Sequence, residues 1–249
     1  MAVLDHVAVG TGTLAPGWEL FGAVLGGTWA YGGHSPGFWW GQLQYAAGPK
    51  VELLTPTGGP DAAFLERFLA DRGPGFHHLN FLVPAIEVTL GKLRTLGVEP
   101  LAVSLQNPRW KEAFVRPRDG HGTVIQVAEQ ADPPLTTRPP PGLGEPGPPS
   151  SLTVIEQQVA DIDGAARLFE EALDGKIVDR TDTAAASVAE LCWSNGATLR
   201  LLEPRSGTPP AEGIVHLQFS RGVGTFGAAD RNTAALLSRR LGISVRLGN

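Results

Sequence analysis

What this chain of 249 residues lacks narrows it first. A single cysteine, Cys192, excludes an internal disulfide framework and a cysteine-based zinc cluster. Basic residues are in deficit, 20 Lys and Arg against 25 Asp and Glu, giving a formal net charge of −5. Neither a nucleic acid nor an anionic membrane is therefore an expected partner, since both are met by basic surfaces. No run approaches the ~20 consecutive apolar residues of a membrane span. The N-terminal residues, Met1 to His6, show no basic region followed by an apolar stretch, so no secretory signal is expected and the cytoplasm is the default location. What remains, 42% hydrophobic and 18% charged residues, suits a globular chain of one large domain or two small ones.

The most informative stretch that is present runs from Gly75 to Val83. It is rich in β-formers, bounded by Gly73-Pro74-Gly75 and Pro84, and reads as a strand. Alternation places His78, Asn80 and Leu82 on one face and His77, Leu79 and Phe81 on the other. An earlier strand, Val3 to Gly10, opens in the same way on a histidine, His6. Each of these strands leads into a helical stretch and then into further short strands, and the last strand of each set carries a polar residue among apolar ones. These are Glu52 in Lys50 to Leu54 and Gln126 in Gly122 to Val127. A glutamate in a Val/Leu strand is costly to bury unless it is paired or binds a cation. His6, Glu52, His78 and Gln126 thus read as four polar side chains converging from two copies of one unit.

Each copy reads as βαβββ. In the first, a helix is expected over Leu14–Gly26, a short strand over Thr28–Tyr31, a loop over Gly32–Gly37 and a strand over Phe38–Tyr45; Asp61–Ala70 is a helical connection. In the second, the strand at His78 is followed by a helix over Ile86–Leu96 and three strands ending at Val127. Copies of this kind bury a common core only when packed together. Proline and glycine then dominate a stretch without apolar periodicity, placed as a linker over residues 131–150. A third copy starts at Leu152, and a fourth at Gly213 ends with a strand over Ile243–Leu247, short of its last two strands. The expected organisation is a first domain over residues 1–130 and a second, incomplete one over 151–249.

The segments Leu4 to Ala8, Val51 to Leu54, Gly75 to Leu79 and Arg116 to Gln126 resemble the vicinal oxygen chelate superfamily, which includes glyoxalase I, methylmalonyl-CoA epimerase, extradiol dioxygenases and the bleomycin- and fosfomycin-resistance proteins. The resemblance is to its glyoxalase and epimerase branch and covers roughly residues 3 to 128. It implies an α+β fold in which tandem βαβββ modules form curled mixed sheets, with a divalent metal held on the concave face of the first. It places His6, Glu52, His78 and Gln126 at the four ligand positions. The family's last ligand is usually glutamate, and here glutamate and glutamine have exchanged places; the charge sum is unchanged. Such an N/O donor set suits Fe, Mn, Co, Ni or Zn. Net positive charge at the ion suits stabilisation of an enolate.

The resemblance implies a small substrate bound through two oxygens, with isomerase, epimerase or lyase chemistry of the glyoxalase type. Phe38–Tyr45 holds no carboxylate to serve as base, leaving Glu52 as the candidate catalytic group. His34, Trp40, Gln42, Gln44, Asn80 and Arg116 are the candidate substrate-binding residues. Bland readings stand beside these: a strand histidine is often only hydrogen-bonded, tryptophans are often core, an arginine is often merely exposed, and Gln126 either ligates or bonds a bound water. An Fe²⁺ dioxygenase is the first alternative, and a non-catalytic small-molecule-binding or resistance protein the second. In the second half the corresponding positions are Val154, Arg200 and His216, and neither valine nor guanidinium binds a cation. That half is expected to be a metal-free copy serving packing, a lid or a homodimer.

Overall fold

The computed structural model describes residues 1–132, 137–205 and 211–248. The first module runs β1 (Val3–Gly10), α1 (Leu14–Trp18) widening into a π-helical segment over Glu19–Val24, β2 (Thr28–Ser35), β3 (Phe38–Gln44) and β4 (Lys50–Pro56). A 3-10 turn, Pro60–Ala62, and α2 (Ala63–Arg72) lead to the second: β5 (Gly75–Leu82), α3 (Ile86–Thr95), β6 (Leu101–Ser104), β7 (Trp110–Val115) and β8 (Val124–Gln130). The third comprises β9 (Ser151–Gln158), α4 (Ile162–Arg167) widening over Leu168–Ala172, β10 (Lys176–Asp182), β11 (Ala186–Cys192) and β12 (Thr198–Pro204). The fourth has β13 (Gly213–Ser220), α5 (Ala228–Arg240) and β14 (Val245–Leu247). The strands form two curled mixed sheets, ordered β2-β3-β4-β1-β5-β8-β7-β6 and β10-β11-β12-β9-β13-β14. No helix among the described residues is long and apolar enough to cross a membrane.

In each complete module the opening strand pairs in parallel with the last, β1 with β4, β5 with β8 and β9 with β12. This pairing revises the reading of the fourth module. Strand β14 lies parallel to β13, with Gln218 opposite Arg246, so it takes the place of a last strand rather than of a middle one. By pairing directly with the opening strand of its module, β14 gains parallel ladder hydrogen bonds. The stretch Gly32–Gly37, a loop by composition, is mostly strand: β2 extends to Ser35, which pairs with Phe38 across the turn at Pro36 and Gly37. Gly37 has φ +97°, a conformation that favours glycine at such a turn.

The chain folds into two compact units. One comprises Met1–Asp5, His78–Pro133 and Val154–Val215; the other comprises His6–His77, Pro134–Thr153 and His216–Asn249. The first has an aromatic centre in which the Phe81 ring lies 5.9 Å from Phe169 and 5.3 Å from Trp193. All three are buried, and the Trp193 indole donates to the Leu173 carbonyl at 2.7 Å. In the second unit Phe219 packs on Phe21 and Tyr45, and the Tyr45 hydroxyl donates to the Phe21 carbonyl at 3.1 Å. Burial pushes the Tyr45 hydroxyl well above its ordinary pKa.

Of the expected linker, residues 133–136 lie outside the described residues, and the rest is tied to the first module. Trp29 Nε1 donates to the Thr137 carbonyl at 2.8 Å, Trp18 Nε1 to the Gly144 carbonyl at 3.0 Å, and Gly147 N to the Gly22 carbonyl at 3.1 Å. A Cβ on Gly147 would meet the Ala23 carbonyl oxygen at 2.1 Å, so only glycine permits that approach. Proline-rich composition did not signal this anchoring, which depends on indole donors more than a hundred residues away in sequence.

Helix α3 begins at Ala85, which has no capping side chain, and its first N–H is met from outside: Ile86 N donates to Glu129 Oε2 at 2.8 Å. That hydrogen bond, followed by the one from Lys111, holds the Glu129 carboxyl below the ordinary glutamate range. A depressed folded-state pKa means that the stabilisation is present above the unfolded pKa and is lost as pH falls through the folded one. Glu129→Gln should therefore lower the thermal midpoint by a few degrees at about pH 7, and by less and less on acidification. Parallel melts of the two proteins across that range check this, and an offset independent of pH would contradict it.

Candidate metal centre

Strand register assembles the first half of the site. Gln42 on β3 is paired with Glu52 on β4, and Glu52 with Ala8 on β1, so that Trp40, Gln42, Glu52, Ala8 and His6 share one face. His6, Gln42 and Glu52 are all buried. The Gln42 amide nitrogen lies 3.2 Å from His6 Nδ1 and 3.0 Å from Glu52 Oε1, and His6 Nε2 lies 3.4 Å from Glu52 Oε2. An amide nitrogen can only donate, so this contact goes with the tautomer in which Nδ1 accepts and Nε2, 3.4 Å from Glu52 Oε2, carries the proton.

The second half is built by β5, β7 and β8. Asn80 pairs with Gln126, and Gln126 with Phe114; alternation adds His78 and Glu112 to that face. Gln126 Nε2 donates to Glu112 Oε2 at 2.7 Å, and the same oxygen accepts from Trp110 Nε1 at 2.9 Å. His6, Glu52 and His78, all buried, each offer a ligand atom, and these atoms lie within 4.8 Å of one another. Two imidazole nitrogens and one carboxylate oxygen at that spacing can bind a divalent cation. Two buried amides bear on the fit. Asn80 is fully buried with neither amide atom partnered, and Gln42 Oε1 is buried without a partner, among the described residues. Buried polar atoms left in this state fit a site completed by an added group.

The other candidates are distributed differently. Trp40 packs its ring 6.0 Å from Tyr31 and lies against the cluster of Ala8, Leu54 and Leu65. His34 pairs with Trp39, on the face opposite Trp40 and Gln42, and is exposed beside a cleft lined by Trp29, Trp39 and Thr55. Gln44 and Arg116 are exposed at strand ends. His77 stands with its ring 5.5 Å from Phe64 and 4.9 Å from Phe68, and burial lowers its pKa to about 4. Sequence reasoning passed over Glu112, because a carboxylate was sought on β3 and not on its counterpart β7. The signal was its two-residue spacing from Phe114, which faces Gln126.

In the second sheet the same register positions are filled otherwise. Glu190 pairs with Arg200 as Gln42 does with Glu52, and Arg200 with Glu156 as Glu52 does with Ala8. The Arg200 guanidinium lies 2.7 Å from Glu190 and 3.5 Å from Glu156. The fourth position, expected to be missing, is Arg246, because β14 stands where β8 does. His216 Nδ1 and the Ser244 hydroxyl are 2.6 Å apart.

This architecture is the vicinal oxygen chelate fold. A variant of 4-hydroxymandelate synthase from Streptomyces coelicolor is similar over 95% of this chain and 75% of its own, with a TM-score of 0.63 at 13% identity. A hypothetical protein from Staphylococcus aureus is similar over 90% and 93%, with 0.58 at 11%. A fusion of a xylose isomerase-like TIM barrel with 4-hydroxyphenylpyruvate dioxygenase is similar over 94% of this chain and 38% of its own, with 0.60 at 14%. No protein-family model matches the chain, and no curated protein matches it.

Gln126→Glu tests the Gln126–Glu112 contact in chelator-treated protein. It replaces a donor by a second carboxylate, so stability near neutral pH should fall by about 1–2 kcal/mol. The deficit should shrink on acidification, as one proton shared between the carboxyls restores a hydrogen bond. Urea titrations at two pH values measure it, and an unchanged neutral-pH midpoint would contradict the contact.

Proposed function

We propose that this protein is a divalent-metal-dependent enzyme acting on a small substrate that presents two oxygens, through an enolate-type intermediate, as an isomerase, epimerase or lyase of the glyoxalase kind. The observation that carries the reading is the buried set of His6, Glu52 and His78, whose ligand atoms lie within 4.8 Å of one another. When bound there, the cation supplies Lewis-acid stabilisation of negative charge developing on a substrate oxygen. His6 and His78 hold the ion as neutral imidazoles, and Glu52 supplies the single matching charge. Gln126 is the fourth candidate ligand, through its amide oxygen, while its nitrogen stays on Glu112. Asn80, whose buried amide is unpartnered among the described residues, orients a substrate oxygen. Trp40 supplies an apolar wall. Glu52, within reach of the same centre, is the candidate base for the substrate carbon acid, and Glu112 is a second carboxylate on the same sheet.

A second reading has its own support. Two histidines and one carboxylate are the donor set of non-haem Fe²⁺ oxygenases, and the chain-length likenesses include 4-hydroxymandelate synthase and a 4-hydroxyphenylpyruvate dioxygenase fusion. An Fe²⁺ dioxygenase is therefore the alternative. The proposed partners are a small-molecule substrate and a second copy of the chain.

Elemental analysis of the purified protein separates these readings. The expected result is close to one Fe, Mn, Co, Ni or Zn per chain, with retention falling at least about tenfold in His78→Ala and in Glu52→Gln. Oxygen consumption by the Fe²⁺-loaded protein with a catechol or 2-oxo acid would select the dioxygenase. Failure to bind any of the five metals would leave only a non-catalytic small-molecule-binding protein.

A further inference from the structure

We infer that Gln42 is the positioning residue of the metal centre and that its amide turns over when the cation binds. The inference rests on the metal reading above. As placed, one amide nitrogen serves two acceptors, His6 Nδ1 at 3.2 Å and Glu52 Oε1 at 3.0 Å. Its oxygen is buried and unpartnered among the described residues. That arrangement requires the His6 proton to sit on Nε2, facing Glu52 Oε2 at 3.4 Å. It leaves the Gln42 oxygen as the unused half of the amide. Nε2 and Oε2 are also the atoms through which His6 and Glu52 approach one another, hence the donors a cation would take.

Once Nε2 is committed to a cation its proton must reside on Nδ1, and Nδ1–H then needs an acceptor. An unrotated Gln42 would aim N–H at N–H. Rotation about the last side-chain torsion, a soft twofold one, brings the unpartnered Oε1 onto Nδ1–H and releases Glu52 Oε1. The second sheet supports a holding role for this position. There Glu190 occupies it and binds the neighbour that replaces Glu52, Arg200, at 2.7 Å. Val154 stands where His6 would be, so that position has no ring to orient.

Co²⁺ titration of the metal-free protein, followed by competition against a chelator and by visible absorption, tests this with three proteins: wild type, Gln42→Met and Gln42→Glu. Methionine keeps the length but cannot accept strongly from Nδ1–H, so Co²⁺ affinity should fall roughly 10–100-fold with an altered ligand-field spectrum. Glutamate restores an acceptor, so affinity and spectrum should return to wild-type values or better. Melting curves of the metal-free proteins give the control. A merely structural amide predicts the reverse order, because Gln42→Glu sets a second carboxylate beside Glu52. Wild-type affinity in Gln42→Met, or equal loss in both variants, overturns the inference while the metal reading survives. No Co²⁺ binding by wild type overturns both.

Discussion

A carboxylate held at 7% exposure on an apolar strand is the constraint from which the site follows. Removing a charge of this kind from water costs several kcal/mol even after relaxation, and hydrogen bonds alone recover part of that. Glu52 meets the cost with the Gln42 amide and the His6 ring, both themselves buried, and with a second imidazole, His78, at ligand distance. Within the set of His6, Glu52 and His78 the carboxylate is the group that carries negative charge. A divalent cation fits that field better than a water molecule, because it replaces weak dipoles with a full opposite charge.

The two sheets show alternative answers to the same electrostatic problem. Where the first places Glu52, the second places Arg200, and its guanidinium is matched by carboxylates at the two adjoining register positions, Glu190 and Glu156. The positive charge is supplied by the chain itself, in a group that does not deprotonate. Arg246 in the place of Gln126 carries the divergence further. Backbone register is retained between the copies, as is the π-helical widening after the first strand of the odd-numbered modules. The side chains on that register differ in charge and in partners.

Much of this was legible in the sequence because period-2 alternation depends on local residues. His6 and Glu52 were assigned to strands that the structure confirms, as were His78 and Gln126, and the vicinal oxygen chelate fold was implied by the resemblance of the segments that carry them. What stayed hidden was set by pairing between distant segments. The place of β14 beside β13 is invisible to periodicity, since a strand reads the same whichever neighbour it joins. The turn at Pro36 and Gly37 absorbed a glycine-rich stretch into β2 because cross-strand pairing outweighed composition. Glu112 is marked by the hydrogen bonds from Gln126 and Trp110, the first of which only strand pairing brings to it.

Placing every ligand candidate on a strand rather than a loop has a mechanical consequence. A one-residue slip of β4 against β3 would turn Glu52 to the opposite face and present Leu53 or Val51 in its place, destroying the donor set outright. Register is held by buried neighbours on the other face, Leu43, Val51 and Leu53 among them, and by an aromatic centre in each unit. Side chains on such a frame keep their backbone origins fixed and adjust only through their last torsions. The mobile part of the centre is thereby reduced to amide and carboxyl rotations, which is why a glutamine between a histidine and a glutamate can carry the difference between a site with and without its cation.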